Sequence, residues 1–514
     1  MRSWLVAAAV ALSSTACSSL VSTPSFHEIV PDDRLDLPLS RDDVASDLRF
    51  AIERIEEVHP DPYAKTPKER IETEIEAILA DPASTATRRK LHRRLSCLLA
   101  LLGDAHTGAG FLQEEWARDV DRGGERLFPL RVGRDKGSIV VVRHVGGDDD
   151  TDGPIELQSR VIAIQGRPIE ELVADLGRGT AGSAVLRDAI VLENLHVQLW
   201  SAGIRPPFRV AIAEPSKPEP TERVLAGQPY ARFFRQDDGR RMPRPADYDA
   251  SWLDGRVVRL DFRSMDDLPR FEEFCRATFT TMREKHARGL IVDLRENGGG
   301  DSQLGDLLLS YVTSTPYRAC SRKEWKVSAP YKTFMKSYAH PAIRWLPLQW
   351  FHSTTRWYFG ADEGSLAVFE QSEPLEPRPN DLRFDGPVVF LIGPQTFSSA
   401  LMLANAVEDY DLAMLIGEET AESPNAFGEV FPFDLPRSGL NVRVSTARYV
   451  RANGDAANPR GVVPDLEVKP TAQDVVVGRD AALERARAWI EEHATGPAPS
   501  ADAPTGGEGA DSDS

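Results

Sequence analysis

"PVVFLIGPQTFSSALMLANAVEDYDLAMLI" occupies residues 387–416. Its first six residues form one apolar run, the pattern of a strand buried on both faces. "GPQT" breaks the run, "FSSALMLANAVEDY" reads as a single helix, and "LAMLI" is a second apolar strand. Strand, turn, helix and strand in this order predict an α/β layer. The helix opens on hydroxyl residues. A helix N-terminus carries unpaired N–H groups and the positive end of the helix dipole. Thr396, Ser398 or Ser399 is therefore either an N-cap or a nucleophile whose alkoxide, and later oxyanion, those amides stabilise.

Outward from this unit the α/β pattern continues. "RVVRLDF" (256–262) and "GLIVDL" (289–294) are strands, and "DDLPRFEEFCRATFTTMREKH" (266–286) and "SQLGDLLLSYV" (302–312) are helices. "GEVFPFDLPRSGLNVRVSTARYV" (428–450) alternates on either side of "PRSG", as a hairpin does. "RDAALERARAWIEEH" closes the fold. These pieces define an α/β core over 251–475, interrupted by a segment at 313–384, and a C-terminal helix over 476–493. The interruption is rich in aromatics: Trp325, Tyr331, Phe334, Tyr338, Trp345, Trp350, Phe351, Trp357, Tyr358 and Phe359. It reads either as a substrate lid or lipid-facing loop, or as a packed insertion with its own small core.

The N-terminal half differs. Residues 41–115 are helical, with Val44, Leu48, Ile52 and Ile55 on one stripe, and end in the polar turn "GDAHTGAG" (103–110). Residues 128–214 are β-rich and contain "SRVIAIQGRPIEELVADL", a strand, a tight turn and a short helix. That unit resembles a PDZ-like module, which binds extended peptides by adding a strand to a sheet edge. Residues 215–250, rich in Pro, Arg and Asp, read as a linker.

The chain has 514 residues and a net charge of −18, which argues against general nucleic-acid binding. Residues 1–16, with Arg2, an apolar run and small residues, read as a signal peptide. "SSTAC" ends in Cys17 and resembles a bacterial lipoprotein cleavage site; lipid on Cys17 would tether residues 17–40 to a membrane at the cell envelope. A secreted protein cut near Ala16 is the alternative. Residues 494–514 are small, polar and acidic, and read as a disordered tail. Cys97, Cys275 and Cys320 have no metal-type spacing, so one disulfide or buried free thiols are the two readings.

Three places offer chemistry: the serines at 398–399, the glycine turn Gly298-Gly299-Gly300 in "GLIVDLRENGGGD" (289–301), and His106. The glycines permit a sharp turn and close backbone approach, and their amides can hold an oxyanion or a phosphate. P-loop and dinucleotide patterns are absent, which disfavours the phosphate. Each feature alone has a structural reading. Together they are the parts of an acyl-transfer site.

"GLIVDLRENGGG", "TFSSALMLANAVEDYDLAMLIGEET" and "GVVPDLEV" resemble, in order and spacing, the S41 peptidases, the tail-specific or C-terminal-processing protease family. The resemblance spans roughly residues 40–470 and implies a serine endopeptidase with a crotonase-like α/β core. It puts the nucleophile on Ser398, with Ser399 as fallback. It puts the oxyanion hole on the amides of Gly298 or Gly299 and of Ser399, and gives Asp409 a structural role. The lysine base of the best-known branch is missing, since Ser423 stands in its place. "EEVHPDPY" (57–63) and "GDAHTG" (103–108) resemble instead the tricorn-like and retinoid-binding-protein-like branch, whose base falls on His106. A neutral imidazole suits proton abstraction near neutral pH. The third member is open between Asn458, where that branch has a glutamate, and Glu418, Glu419 or Asp104. The expectation is peptide hydrolysis through an acyl-enzyme with no metal or cofactor. The substrate is a peptide or protein, and nothing in the sequence sets the oligomeric state. The alternatives are an esterase using the same serine, or an envelope lipoprotein that binds peptides or apolar ligands on a decayed site.

Overall fold

A computed structural model describes residues 27–81, 87–145, 155–234, 246–337 and 353–494. The leader, Cys17, the acidic tail from 495, and Tyr338, Trp345, Trp350 and Phe351 lie outside the described residues.

The architecture is mixed α/β. A six-stranded sheet runs in the order Tyr248–Leu253, Val257–Phe262, Gly289–Asp293, Val388–Ile392, Met414–Gly417 and Leu466–Glu467. Only its first pair is antiparallel. The strands Gly289–Asp293 and Val388–Ile392 are buried at every residue, and their period-2 geometry splits each apolar run between two cores. Leu290, Val292, Phe390 and Ile392 face the helices Leu268–Glu284, Gln303–Val312 and Ser399–Asp409. Ile291, Val389, Leu391 and Ile416 face Ala482, Ala486 and Ile490 of the C-terminal helix Ala481–His493.

A second sheet is built around the strand Asn441–Val450. It pairs with Phe427–Asp434 in a hairpin. Arg322–Lys326 and the short Gly108–Ala109 also pair with it. Trp325, Tyr331, Phe334 and Tyr358 from the interrupting segment are buried with Leu48, Ile55, Leu95 and Leu99 of the N-terminal helices and with Phe431 and Phe433 of the hairpin. These four aromatics of 313–384 thus form no private core. They fill a core shared with the helical region, because neither amphipathic surface closes alone.

A third sheet, antiparallel, spans Leu130–Asp135, Ser138–His144, Arg160–Ile164, Phe208–Glu214 and Lys217–Leu225, with its own core. Here the linker expectation for 215–250 fails. Residues 217–225 pair with Phe208–Glu214 despite Pro218 and Pro220. The strand is at the sheet edge, where a proline loses no ladder bond. Tyr248–Leu253 likewise belongs to the central sheet. Cys97, Cys275 and Cys320 are all free thiols.

The helix Ser399–Asp409 is tied to the hairpin at its C-terminus. Arg451, 3% exposed, meets Glu408 at 2.6 Å and Asp409 at 2.8 Å. Asp409 also accepts hydrogen bonds from the Asn453 N–H at 2.8 Å and from its side-chain amide at 3.0 Å. A cation at a helix C-terminus complements the dipole. Arg451→Met strands two carboxylates and is expected to cost about 3 kcal/mol, read as a lower urea midpoint; an unchanged midpoint would refute this tie.

Candidate active site

The three hydroxyls at 396–399 have different fates. Thr396 is buried; its Oγ1 accepts from the Gly393 N–H at 3.1 Å and donates to the Leu294 carbonyl at 2.9 Å. Ser399 donates to the Gly300 carbonyl at 2.6 Å. Ser398 occupies the N-cap position yet makes no capping bond, and its φ is 55° with ψ −124°. Those angles match the first central residue of a type II′ turn, a position that favours glycine. Strain of this kind persists only when its surroundings enforce it. The Ser398 side chain makes no hydrogen bond among the described residues and lines a cavity of about 880 Å³.

The glycine turn abuts this elbow. The Phe397 N–H donates to the Asn297 carbonyl at 3.0 Å. Buried Asn297 donates to the Phe262 carbonyl at 2.8 Å and accepts from the Gly299 N–H at 2.8 Å. Gly299 has φ +97°, and a Cβ there would lie 2.7 Å from Ser398 Cβ. So glycine is required at 299, but its amide is already held. Of the amides expected to form an oxyanion hole, those of Gly298 and Ser399 donate to no acceptor among the described residues.

His106 reaches the same cavity from the helical region. Its turn is pinned by Asp104, whose Oδ1 accepts from the His106 N–H at 2.9 Å and whose Oδ2 accepts from the Thr107 hydroxyl at 2.5 Å. His59, from "EEVHPDPY", accepts from the Asp61 N–H at Nδ1, so its Nε2 carries the proton and faces Asp104 Oδ2 at 3.3 Å. Burial opposes the Asp104 charge, but the His59 hydrogen bond, foremost among the opposing causes, holds its pKa at about 2. The Thr107 hydroxyl accepts from the Ser445 N–H at 3.1 Å, and Gly108 and Ala109 pair with Arg443 and Val442. His106 therefore lands on the Phe397 ring, stacked at 4.5 Å between centroids. Burial lowers its pKa below the usual 6.5, opposed by Asp104 and Glu429. Its Nε2 is buried with no partner among the described residues.

The four expected third members fare differently. Asn458 accepts from the Arg460 N–H at 3.0 Å through Oδ1, and its carbonyl holds the Asn425 side chain at 2.8 Å. Glu419 is bound to Arg460 at 2.7 Å. Glu418 follows the end of a central strand, near Lys469, Glu467 and Arg295. None of these three lines the cavity, because Asn458 and Glu419 serve local partners and Glu418 lies at the strand end; only Asp104 adjoins His106, and it holds the turn backbone. Three carboxylates that sequence reasoning missed do line the cavity: Asp301, Glu422 and Glu429. Glu422 accepts from the Ser183 N–H at 2.9 Å, so the third sheet's domain also reaches the cavity. Glu429 had a legible signal. It sits in phase with Phe427, Phe431 and Phe433, where an apolar residue is expected.

Residues 260–468 match the model of peptidase family S41. A Chlamydia muridarum (strain MoPn / Nigg) protein described as uncharacterised is 24% identical over 264 residues, and the match covers 43% of this chain and 41% of that relative. The structure of mature CPAF aligns over 87% of this chain and 97% of its own, with a TM-score of 0.58 and 16% identity. That of a CPAF mutant aligns over 89% and 99%, with a TM-score of 0.60 and 16% identity. These two likenesses show a shared fold.

The strain at position 398 is testable without any substrate. Ser398→Gly relieves the left-handed backbone and is expected to raise stability by up to about 1 kcal/mol. Ser399→Ala loses its bond to Gly300 and is expected to lower it by about 1 kcal/mol. Paired thermal melts check both signs; a destabilised Ser398→Gly variant would show that the elbow is unstrained.

Proposed function

We propose, from the match of residues 260–468 to the model of peptidase family S41, that this protein is a serine endopeptidase working through an acyl-enzyme. The observation that carries the proposal is the shared cavity of Ser398 and His106. One side chain is a hydroxyl at a helix N-terminus that caps nothing. The other is an imidazole whose pKa is lowered by burial, hence neutral at neutral pH.

In this reading His106 takes the proton from Ser398 Oγ as the oxygen attacks the substrate carbonyl. The carbonyl electron pair moves onto oxygen, which the Gly298 and Ser399 amides receive; such donors are each worth roughly 3 kcal/mol to the transition state. The imidazolium then protonates the leaving amine as the C–N bond breaks. Water, deprotonated by the same imidazole, clears the acyl group. Gly299 carries no oxyanion role here, since Asn297 holds its amide. The cavity rim at Gly182 and Ser183 brings in the PDZ-like domain, which suits presentation of an extended peptide. The leader and Cys17 support export and a lipid anchor at the cell envelope.

A fluorophosphonate probe tests the mechanism. Ser398 is expected to take the label, located by mass spectrometry, and Ser399→Ala to keep it. His106→Ala is expected to slow labelling by on the order of 100-fold or more. Protonation of His106 removes the base, so the labelling rate falls on acidification; because burial lowers this pKa, the half-point lies below about 6.5. A silent wild-type protein that still binds peptides would favour the binding-protein alternative, and ester hydrolysis without amide hydrolysis would favour the esterase.

A further inference from the structure

Glu429 lies in the middle of the strand Phe427–Asp434, yet its φ is +57°. Such a backbone is uncommon for a side chain with a Cβ, and within a strand it breaks the ladder. Pairing to Asn441–Val450 is regular on both sides, Gly428 with Ala447 and Val430 with Ser445, and lapses at Glu429. The Glu429 carbonyl instead accepts from the Thr446 hydroxyl at 2.8 Å. The distortion turns the carboxylate into the cavity that Ser398 and His106 line.

There the carboxylate is fixed. Lys323 Nζ lies 2.6 Å from Oε1, and the Tyr449 hydroxyl donates to the same oxygen at 2.7 Å. Lys323 is itself held over the Trp325 ring, 3.6 Å from its centroid. Burial opposes the charge on Glu429, but Lys323 and the hydroxyls of Tyr449 and Tyr331 outweigh it and keep the group ionised. Asp104 and Glu429 are the two carboxylates that favour a charged His106. Both oxygens of Asp104 already serve its own turn and His59. Glu422 is engaged with Ser183. Lys65, Asp301 and Cys320 complete the titratable lining.

We propose that Glu429 is the positioning acid of this site, standing where Asn458 does not reach, and that its fixed charge stabilises the His106 imidazolium formed when Ser398 gives up its proton. The inference rests on the Ser–His reading above. It also accounts for a partly buried lysine-glutamate pair beside a strained backbone, since a purely structural pair needs no distortion.

The full chain is labelled with the fluorophosphonate probe across a pH series, and His106 is titrated by NMR in protein carrying isotope-labelled histidine. Glu429→Gln is expected to slow plateau labelling on the order of 10-fold or more and to move the acid limb, and the His106 titration, down by about half a pH unit. Glu429→Asp restores the limb. Lys323→Met, which keeps the carboxylate and removes its counter-charge, moves both readings up. A folded Glu429→Gln protein with unchanged plateau and limb overturns the inference. If that variant does not fold, an unmoved Lys323→Met titration overturns it. Failure of the wild type to label defeats the Ser–His reading instead, and the NMR titration still decides whether Glu429 acts on His106.

Discussion

The candidate site depends on a very small piece of sheet. Gly108 and Ala109 pair with Arg443 and Val442, the Gly110 N–H reaches the Asn441 carbonyl at 2.8 Å, and the Ser445 N–H reaches the Thr107 hydroxyl at 3.1 Å. These few bonds carry a histidine from the helical region onto the face of the α/β core. They are directional, so they fix orientation as well as distance. Apolar packing between helices and hairpin supplies the stability, but packing alone tolerates rotation and slippage. Asp104 completes the constraint by tying two groups of the turn and the His59 imidazole to one buried carboxylate.

Two non-glycine residues with positive φ line the same cavity. Gln165, Arg256 and His286 also have positive φ, but they sit in turns or at the ends of elements. Ser398 and Glu429 instead interrupt a helix start and a strand, and both point into the cavity. In each case neighbours enforce the conformation: the glycine turn presses against Ser398, and Lys323 with Tyr449 holds Glu429. A site built on strained but rigid elements keeps its groups oriented without reorganisation during reaction.

The aromatic segment serves the core more than the surface. Trp325 is 6% exposed and donates its indole N–H to Thr446 at 3.0 Å, and Tyr358 is fully buried. Trp357 and Phe369 reach the cavity wall. One stretch thus joins the helical region to the hairpin and lends apolar surface to the pocket. The charge pairs in the same neighbourhood have separate tasks. Arg451 with Asp409 stabilises the far end of the helix Ser399–Asp409, while Lys323 with Glu429 lines the cavity that Ser398 and His106 share.

The central fold was legible because its strands are buried on both faces, and such burial writes continuous apolar runs into "GLIVDL" and "PVVFLI". Ser398 and His106 were legible as motif positions. What separated Ser398 from Thr396 and Ser399 was tertiary, since only the folded chain shows which hydroxyls already have partners. The same holds for Gly299, whose amide is taken by a side chain two residues away. Asn458, one of four open candidates, stands by motif where the resembled branch has a glutamate, yet its side chain serves its own turn. Local sequence thus determined the elements, the turn residues and the candidate hydroxyl and imidazole. The tertiary structure alone decided which carboxylates line the cavity with the imidazole, because that depends on where a distorted strand aims a side chain, and no periodicity encodes such a direction.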